Sequence, residues 1–211
     1  MSEVTFQYEN ETHRADTAVA GFWLFLASEM LFFGGLFLVW TVYRQIHNSG
    51  FNQASQHANL LIGSINTVIL FTSSAVFAAA LPAGRRGANR TAFWLCVVTW
   101  LLGLAFLLLK LWEWKTDLGE GLFPGPDFSI TGPGSAGAPL FWAFYFVATG
   151  LHGIHLLVGL GLVAWIALMA YRKQLSASNA TSLEVVSLYW AFVDVIWLML
   201  YPMIYLSGHV G

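Results

Sequence analysis

Charge is what this chain lacks most. Of its 211 residues only 9% are Asp, Glu, Lys or Arg, and a formal net charge of −2 leaves no basic surface for nucleic acid. Cysteine is nearly absent as well. The single Cys96 excludes an intrachain disulfide and a cysteine-rich metal site, and its apolar neighbours make it a packing residue. The chain has no glycine-rich phosphate loop and no Ser/His/Asp set at a plausible surface, so catalysis by this chain alone is not expected. Its first residues carry Glu3, Glu9, Glu11 and Asp16 against Arg14, the wrong charge for a signal peptide. No repeat period and no matched pair of Gly/Pro-broken helices occurs, which argues against an inverted-repeat transporter.

What is there is apolar. Hydrophobic residues make up 57% of the chain and the mean hydropathy is +0.66, well outside the range of soluble domains. Five runs, at about 18–43, 59–81, 92–112, 140–171 and 183–206, can each cross about 30 Å of hydrocarbon as a helix. The expected fold is all-α: a polytopic membrane protein whose residues 18–211 form one five-transmembrane-helix bundle behind a cytoplasmic tail, 1–17. Arg14, Arg85, Arg86, Arg90, Arg172 and Lys173 gather on one side of that bundle. The other side has Arg44 and Lys115, with Lys110 near enough to snorkel. The positive-inside rule then places the N-terminus in the cytoplasm and the C-terminus outside. Residues 113–139, rich in Gly and Pro, become an external loop, either an ordered lid or a loose connector.

The first run carries one charge near its middle, Glu29, about 16 Å along the helix from Ala18. A carboxylate at that depth costs on the order of 3 kcal/mol unless it is protonated or partnered. Asp194 lies about 16 Å along the fifth run, and His155 about 22 Å along the fourth, so all three fall in one slab. His152 and His155 are three residues apart and share a helical face. Two readings stand side by side. One is a buried proton-handling or lipid-headgroup cluster; the other is a set of hydrogen bonds that only hold helices together.

Small and polar residues mark the inward faces: Gly63, Asn66, Thr67 and Ser74 on the second helix; Ser187, Ala191, Asp194, Tyr201 and Tyr205 on the fifth. Being nearly all Leu, Val, Trp and Phe, the third run is expected to face lipid or an apolar partner. Metal binding is not expected. A di-iron bundle needs Glu-x-x-His pairs on two helices, and two histidines three residues apart cannot be both axial ligands of one haem.

Three motifs resemble one family. Leu26-Ala27-Ser28-Glu29-Met30-Leu31-Phe32-Phe33 is similar to the glutamate-bearing helix of haem-copper oxidase subunit III. The run Phe146-Val147-Ala148-Thr149-Gly150-Leu151-His152-Gly153-Ile154-His155 resembles that family's histidine helix, and Tyr189 to Leu198, with Asp194, its last helix. Weaker likenesses are Ile65-Asn66-Thr67 and Leu109 to Trp114, with Glu113 at the outer helix end. The likeness covers nearly the whole chain and corresponds to the short, five-helix bacterial form. It implies a non-catalytic subunit of a respiratory terminal oxidase, of the cytochrome c oxidase type, in the bacterial inner membrane. Such subunits pack beside subunit I, with subunit II in the same complex, hold phospholipid and support proton uptake. Haem and copper reside in the partners. The resemblance extends to a quinol oxidase subunit III and to an accessory subunit of nitric oxide reductase. Glu29, His155 and Asp194 alone also suit a small proton-coupled transporter or channel. Two departures stand out: Ala191 occupies the place of a usual family histidine, and the loop before Leu140 is longer and richer in Gly and Pro.

Overall fold

The computed structural model describes residues 11–176 and 180–208. Its helices are α1 (Glu11–Ile46), α2 (Asn48–His57), α3 (Leu60–Arg85), α4 (Asn89–Gly119), α5 (Ala138–Tyr171) and α6 (Ala180–Tyr201), the last continued by a π turn, Pro202–Leu206. Five of them are long and apolar enough to cross a membrane: α1, α3, α4, α5, and α6 with its π turn. They match the five apolar runs, but most extend further. The 36 residues of α1 reach about 54 Å, and residues 11–17, expected as tail, already belong to this helix. Polarity ends an apolar run, whereas a helix continues until its backbone hydrogen bonds are broken or capped.

α2 was not anticipated. It lies in the link between the first two spans and is amphipathic, burying Gly50, Phe51, Ala54 and Ser55 while its other side stays polar. Asn59 then caps α3, its Oδ1 accepting from the Ile62 amide at 3.1 Å. Phe51 packs edge-on against Trp40 of α1 and Phe141 of α5, with ring centroids 5.8 and 5.7 Å apart. Gly50 is required by close approach: a Cβ there would lie 2.1 Å from the Ala136 carbonyl oxygen. Gly137, at φ 97°, turns the chain into α5 with no room for a Cβ beside His47.

α6 is the central helix and α1 the peripheral one. Of their apolar windows, 56% and 11% respectively are buried within the chain. Trp190 of α6 slots between Gly103 of α4 and Gly159 of α5 and donates from Nε1 to Ser73 Oγ of α3 at 3.1 Å. Small residues thus let four helices close around one indole, as expected where packing rather than water exclusion drives association. Pro202 lacks the N–H that an α-helix would donate, and α6 widens there into the π turn. In this turn the Ile204 carbonyl accepts from Ser55 Oγ at 2.6 Å, and just beyond it the Ser207 carbonyl accepts from Arg44 at 2.8 Å.

Two expectations are corrected here. α4 does not present only an apolar surface: Cys96, Thr99, Gly103, Phe106, Lys110, Glu113 and Asp117 form a continuous buried stripe. The loop expected at 113–139 is shorter, because α4 runs to Gly119. It is ordered by its own contacts. The Leu122 amide donates to the Asp117 carbonyl at 3.0 Å, the Ser129 amide to the Gly121 carbonyl at 3.0 Å, and Leu122 and Ile130 are buried.

Candidate functional site

Glu29 and His155 meet. The Glu29 Oε2 lies 3.1 Å from His155 Nε2, joining the peripheral α1 to α5 at matching depth. His155 Nδ1 stands 2.8 Å from the Leu151 carbonyl, which can only accept, so Nδ1 carries a proton. Nε2 can then donate to or accept from the Glu29 carboxyl, according to which of the two carries a proton. Phe33, fully buried, sets its ring edge-on to the imidazole at 5.4 Å, and Tyr189 Oη donates to the His155 carbonyl at 3.0 Å. The pair is not sealed: the Glu29 and His155 side chains keep 21% and 18% of their exposure. Its open side faces outward beside Phe25 and Phe32, both exposed.

His152 goes elsewhere, correcting the shared-face expectation. It is 1% exposed and wedged between the Phe106 and Trp197 rings at 5.5 and 5.2 Å, and neither ring nitrogen has a hydrogen-bond partner. Asp194 meets neither histidine. Its Oδ2 accepts from Ser74 Oγ on α3, while Oδ1 is buried without a partner. One turn along, Trp197 Nε1 donates to Thr67 Oγ1 at 3.0 Å, so the polar stripe expected on the second run does face α6. Ala191, expected on the inward stripe of α6, is exposed on its outer face instead. Because Ser74 supplies the bond that Asp194 has, Ser74→Ala should reproduce much of the loss in Asp194→Leu, about 1–3 kcal/mol in thermal unfolding in detergent. A Ser74→Ala chain as stable as wild type would show that this bond carries no stability.

The largest polar cluster was not anticipated. Lys110 does not snorkel; it is 5% exposed, and Nζ donates to Glu113 Oε2 at 3.0 Å, Tyr145 Oη at 3.0 Å and Tyr205 Oη at 2.7 Å. All three ammonium protons are used. Each tyrosine passes the contact on. Tyr205 Oη donates to Glu113 Oε1 at 2.8 Å, and Tyr145 Oη to Asp117 Oδ2 at 2.6 Å. The ammonium also stands 4.3 Å from the centre of the Tyr145 ring. Glu113, expected at the outer helix end, is 1% exposed at the heart of this network. The signal was available in the sequence: residues 96, 99, 103, 106, 110, 113 and 117 recur at alternating spacings of three and four, one helical face carrying three charges.

Among the described residues no three His, Cys, Asp or Glu side chains gather as a metal ion would require. The two neighbouring carboxyls, Glu113 and Asp117, are already engaged, Glu113 by the Lys110 ammonium and Tyr205, and Asp117 by Tyr145.

The whole chain compares with known proteins. It is 28% identical to the probable quinol oxidase subunit 3 of Staphylococcus haemolyticus (strain JCSC1435), covering 100% of this chain and 98% of that one. It is 27% identical to the protein of the same description from Staphylococcus aureus (strain USA300), again over 100% and 98%. Residues 1–209 match the model of cytochrome c oxidase subunit III, and the chain belongs to that family, as subunit III of a membrane-bound terminal oxidase.

Proposed function

We propose that this chain is the non-catalytic subunit III of a bacterial respiratory oxidase, packing beside subunit I, with subunit II in the same complex, and supporting proton uptake during oxygen reduction. The observation that carries this reading is the Glu29–His155 contact, 3.1 Å between Oε2 and Nε2 and about a fifth exposed at the seam between α1 and α5. A proton on either group can be passed to the other without either residue leaving its place. Haem and copper belong to the partner chains: His155 is engaged by Glu29, and His152 is enclosed by aromatic rings. Phospholipid fits the loosely covered flank of α1, where Trp23, Leu24, Leu31 and Leu38 are exposed. The basic helix ends at Arg85, Arg86, Arg90 and Arg172 support a cytoplasmic N-terminus and an external C-terminus in the inner membrane. For the electron donor we take quinol, following the names of the two relatives over the cytochrome c of the family's description.

The oxidase isolated through a tag on this chain should contain haem and consume oxygen with a quinol. A colourless preparation without oxygen uptake would sink the reading. In the same complex Glu29→Gln should leave assembly and initial rate near wild type, because the amide keeps the shape. Proton supply should fail progressively, so activity decays faster over many turnovers. Identical decay of both proteins between about pH 6 and 9, a range spanning ordinary histidine titration, would leave Glu29 a packing residue.

A further inference from the structure

The two halves of α1 are held unequally. Past Gly35 the helix is clamped. Trp40, 5% exposed, lies against Phe51 of α2 and Phe144 of α5, with ring centroids 5.8 and 6.0 Å away. The Arg44 guanidinium stands 5.1 Å from the centre of the Trp40 ring while it donates to the Ser207 carbonyl beyond α6. Contacts with α2, α5 and the end of α6 therefore fix this half.

Before Gly34 the hold is slight. From Val19 to Phe33 only Leu26 and Phe33 are buried. Trp23, Leu24, Met30 and Leu31 are each more than half exposed. Among the described residues of this stretch, one side-chain hydrogen bond reaches another helix: Glu29 Oε2 with His155 Nε2 at 3.1 Å. A ring contact between Phe25 and Tyr189 of α6, at 6.4 Å, is the nearest support on the side away from the clamp.

Gly34 and Gly35 sit where the two halves meet, and they are the one Gly-Gly pair in the sequence. Both are exposed, and a Cβ on either would meet nothing within 4 Å. Packing inside this chain does not require them, unlike Gly103 and Gly159 against Trp190. Each weakens a helix about fivefold relative to alanine, because glycine regains more backbone freedom when the helix opens. Sharp bends in long helices concentrate at such pairs.

We propose that the first half of α1 is a gate, hinged at Gly34–Gly35 and latched by the Glu29–His155 contact. With the latch broken, residues 11–33 tilt away from α5 and α6, and water reaches both side chains from the end of the bundle that carries Arg85 and Arg90. The clamp at Trp40 and Arg44 holds the other half, so opening is a bend and not a detachment. A tilt of about 20° would carry Ala20, about 21 Å from the hinge, outward by about 7 Å. A gate over this pair serves proton uptake only if the function proposed above holds; the bend itself does not depend on it.

The test measures two distances by pulsed electron spin resonance on the full chain in bilayer discs, with the buried Cys96 left unlabelled. Labels at Ala20→Cys and Ala164→Cys span the gate, since both positions are exposed and lie about 14 Å beyond Glu29 and His155 toward the same end. Labels at Val39→Cys and Val147→Cys, also exposed, span the clamped half. In wild type the gate pair should be mostly closed, with a minor population about 7 Å longer, and the clamped pair should show a single distance. Glu29→Leu places an apolar side chain at a partly exposed position facing lipid, so the chain should still fold. It should raise the open-to-closed ratio about tenfold, the scale of one lost hydrogen bond. Gly34→Ala with Gly35→Ala clashes with nothing in the chain and should lower the ratio by at least about fivefold. A single gate distance in both wild type and Glu29→Leu would overturn the proposal. Equal lengthening of both pairs would mean that α1 leaves as a rigid rod, which overturns the hinge. An unchanged ratio in the alanine pair would also overturn it, and weaker recovery of the assembled oxidase in that variant would assign the glycines to packing against a partner helix. None of these readouts involves oxygen uptake, so they are separate from the turnover decay that tests the function.

Discussion

Lys110→Met should destabilise the chain by about 3–5 kcal/mol, the usual consequence of removing one partner from a buried ionic group. Lys110 is the hub of its cluster, with Glu113, Tyr145 and Tyr205 all accepting from one ammonium. Without it Glu113 and Asp117, 1% and 4% exposed, are left buried with no cation. The two tyrosines would still donate to them, which is why the loss should not be larger. Neutralising the acids together with the lysine, as Lys110→Met with Glu113→Gln and Asp117→Asn, should recover part of the stability, because no uncompensated charge then remains. Equilibrium unfolding of the three proteins in mixed detergent measures this directly. If Lys110→Met unfolds within about 1 kcal/mol of wild type, the cluster behaves as a solvated surface pair and not as a buried one.

The second large effect is expected at Trp190. Trp190→Ala removes an indole that is 1% exposed and touches three neighbouring helices, and truncations of this kind cost about 3–5 kcal/mol. Part of that cost is the void left between Gly103 and Gly159. Gly103→Leu fails for the opposite reason: a Cβ there would lie 2.8 Å from the Trp190 ring, and overpacking costs about 1–3 kcal/mol. Combined, the two changes should be less damaging than their sum, since leucine grows into the space the indole leaves. A coupling of about 0.5–3 kcal/mol is expected for residues in contact. Strict additivity in a double-mutant cycle would show that the two positions do not share one packing site.

The sequence was sufficient for the number and class of the spanning helices, because a lipid solvent demands long, internally hydrogen-bonded, apolar segments and tolerates little else. It also pointed to Glu29 and His155, since ionisable groups at that depth are costly enough to be conspicuous. Pairing was another matter. His152 and His155 lie three residues apart, yet one faces α1 and the other is locked between Phe106 and Trp197. A spacing of three spans about 300° of helical turn, so neighbours on one face can still serve different helices. Asp194 found Ser74 for the same reason: the choice of partner depends on which helices are adjacent and at what rotation. The Lys110 cluster was written in the spacing of α4 but masked by the apolar residues between its members, and a lysine near a helix end ordinarily reaches for water. Only tertiary structure decided otherwise, by bringing Tyr145 from α5 and Tyr205 from the turn after α6 to meet the ammonium before water could.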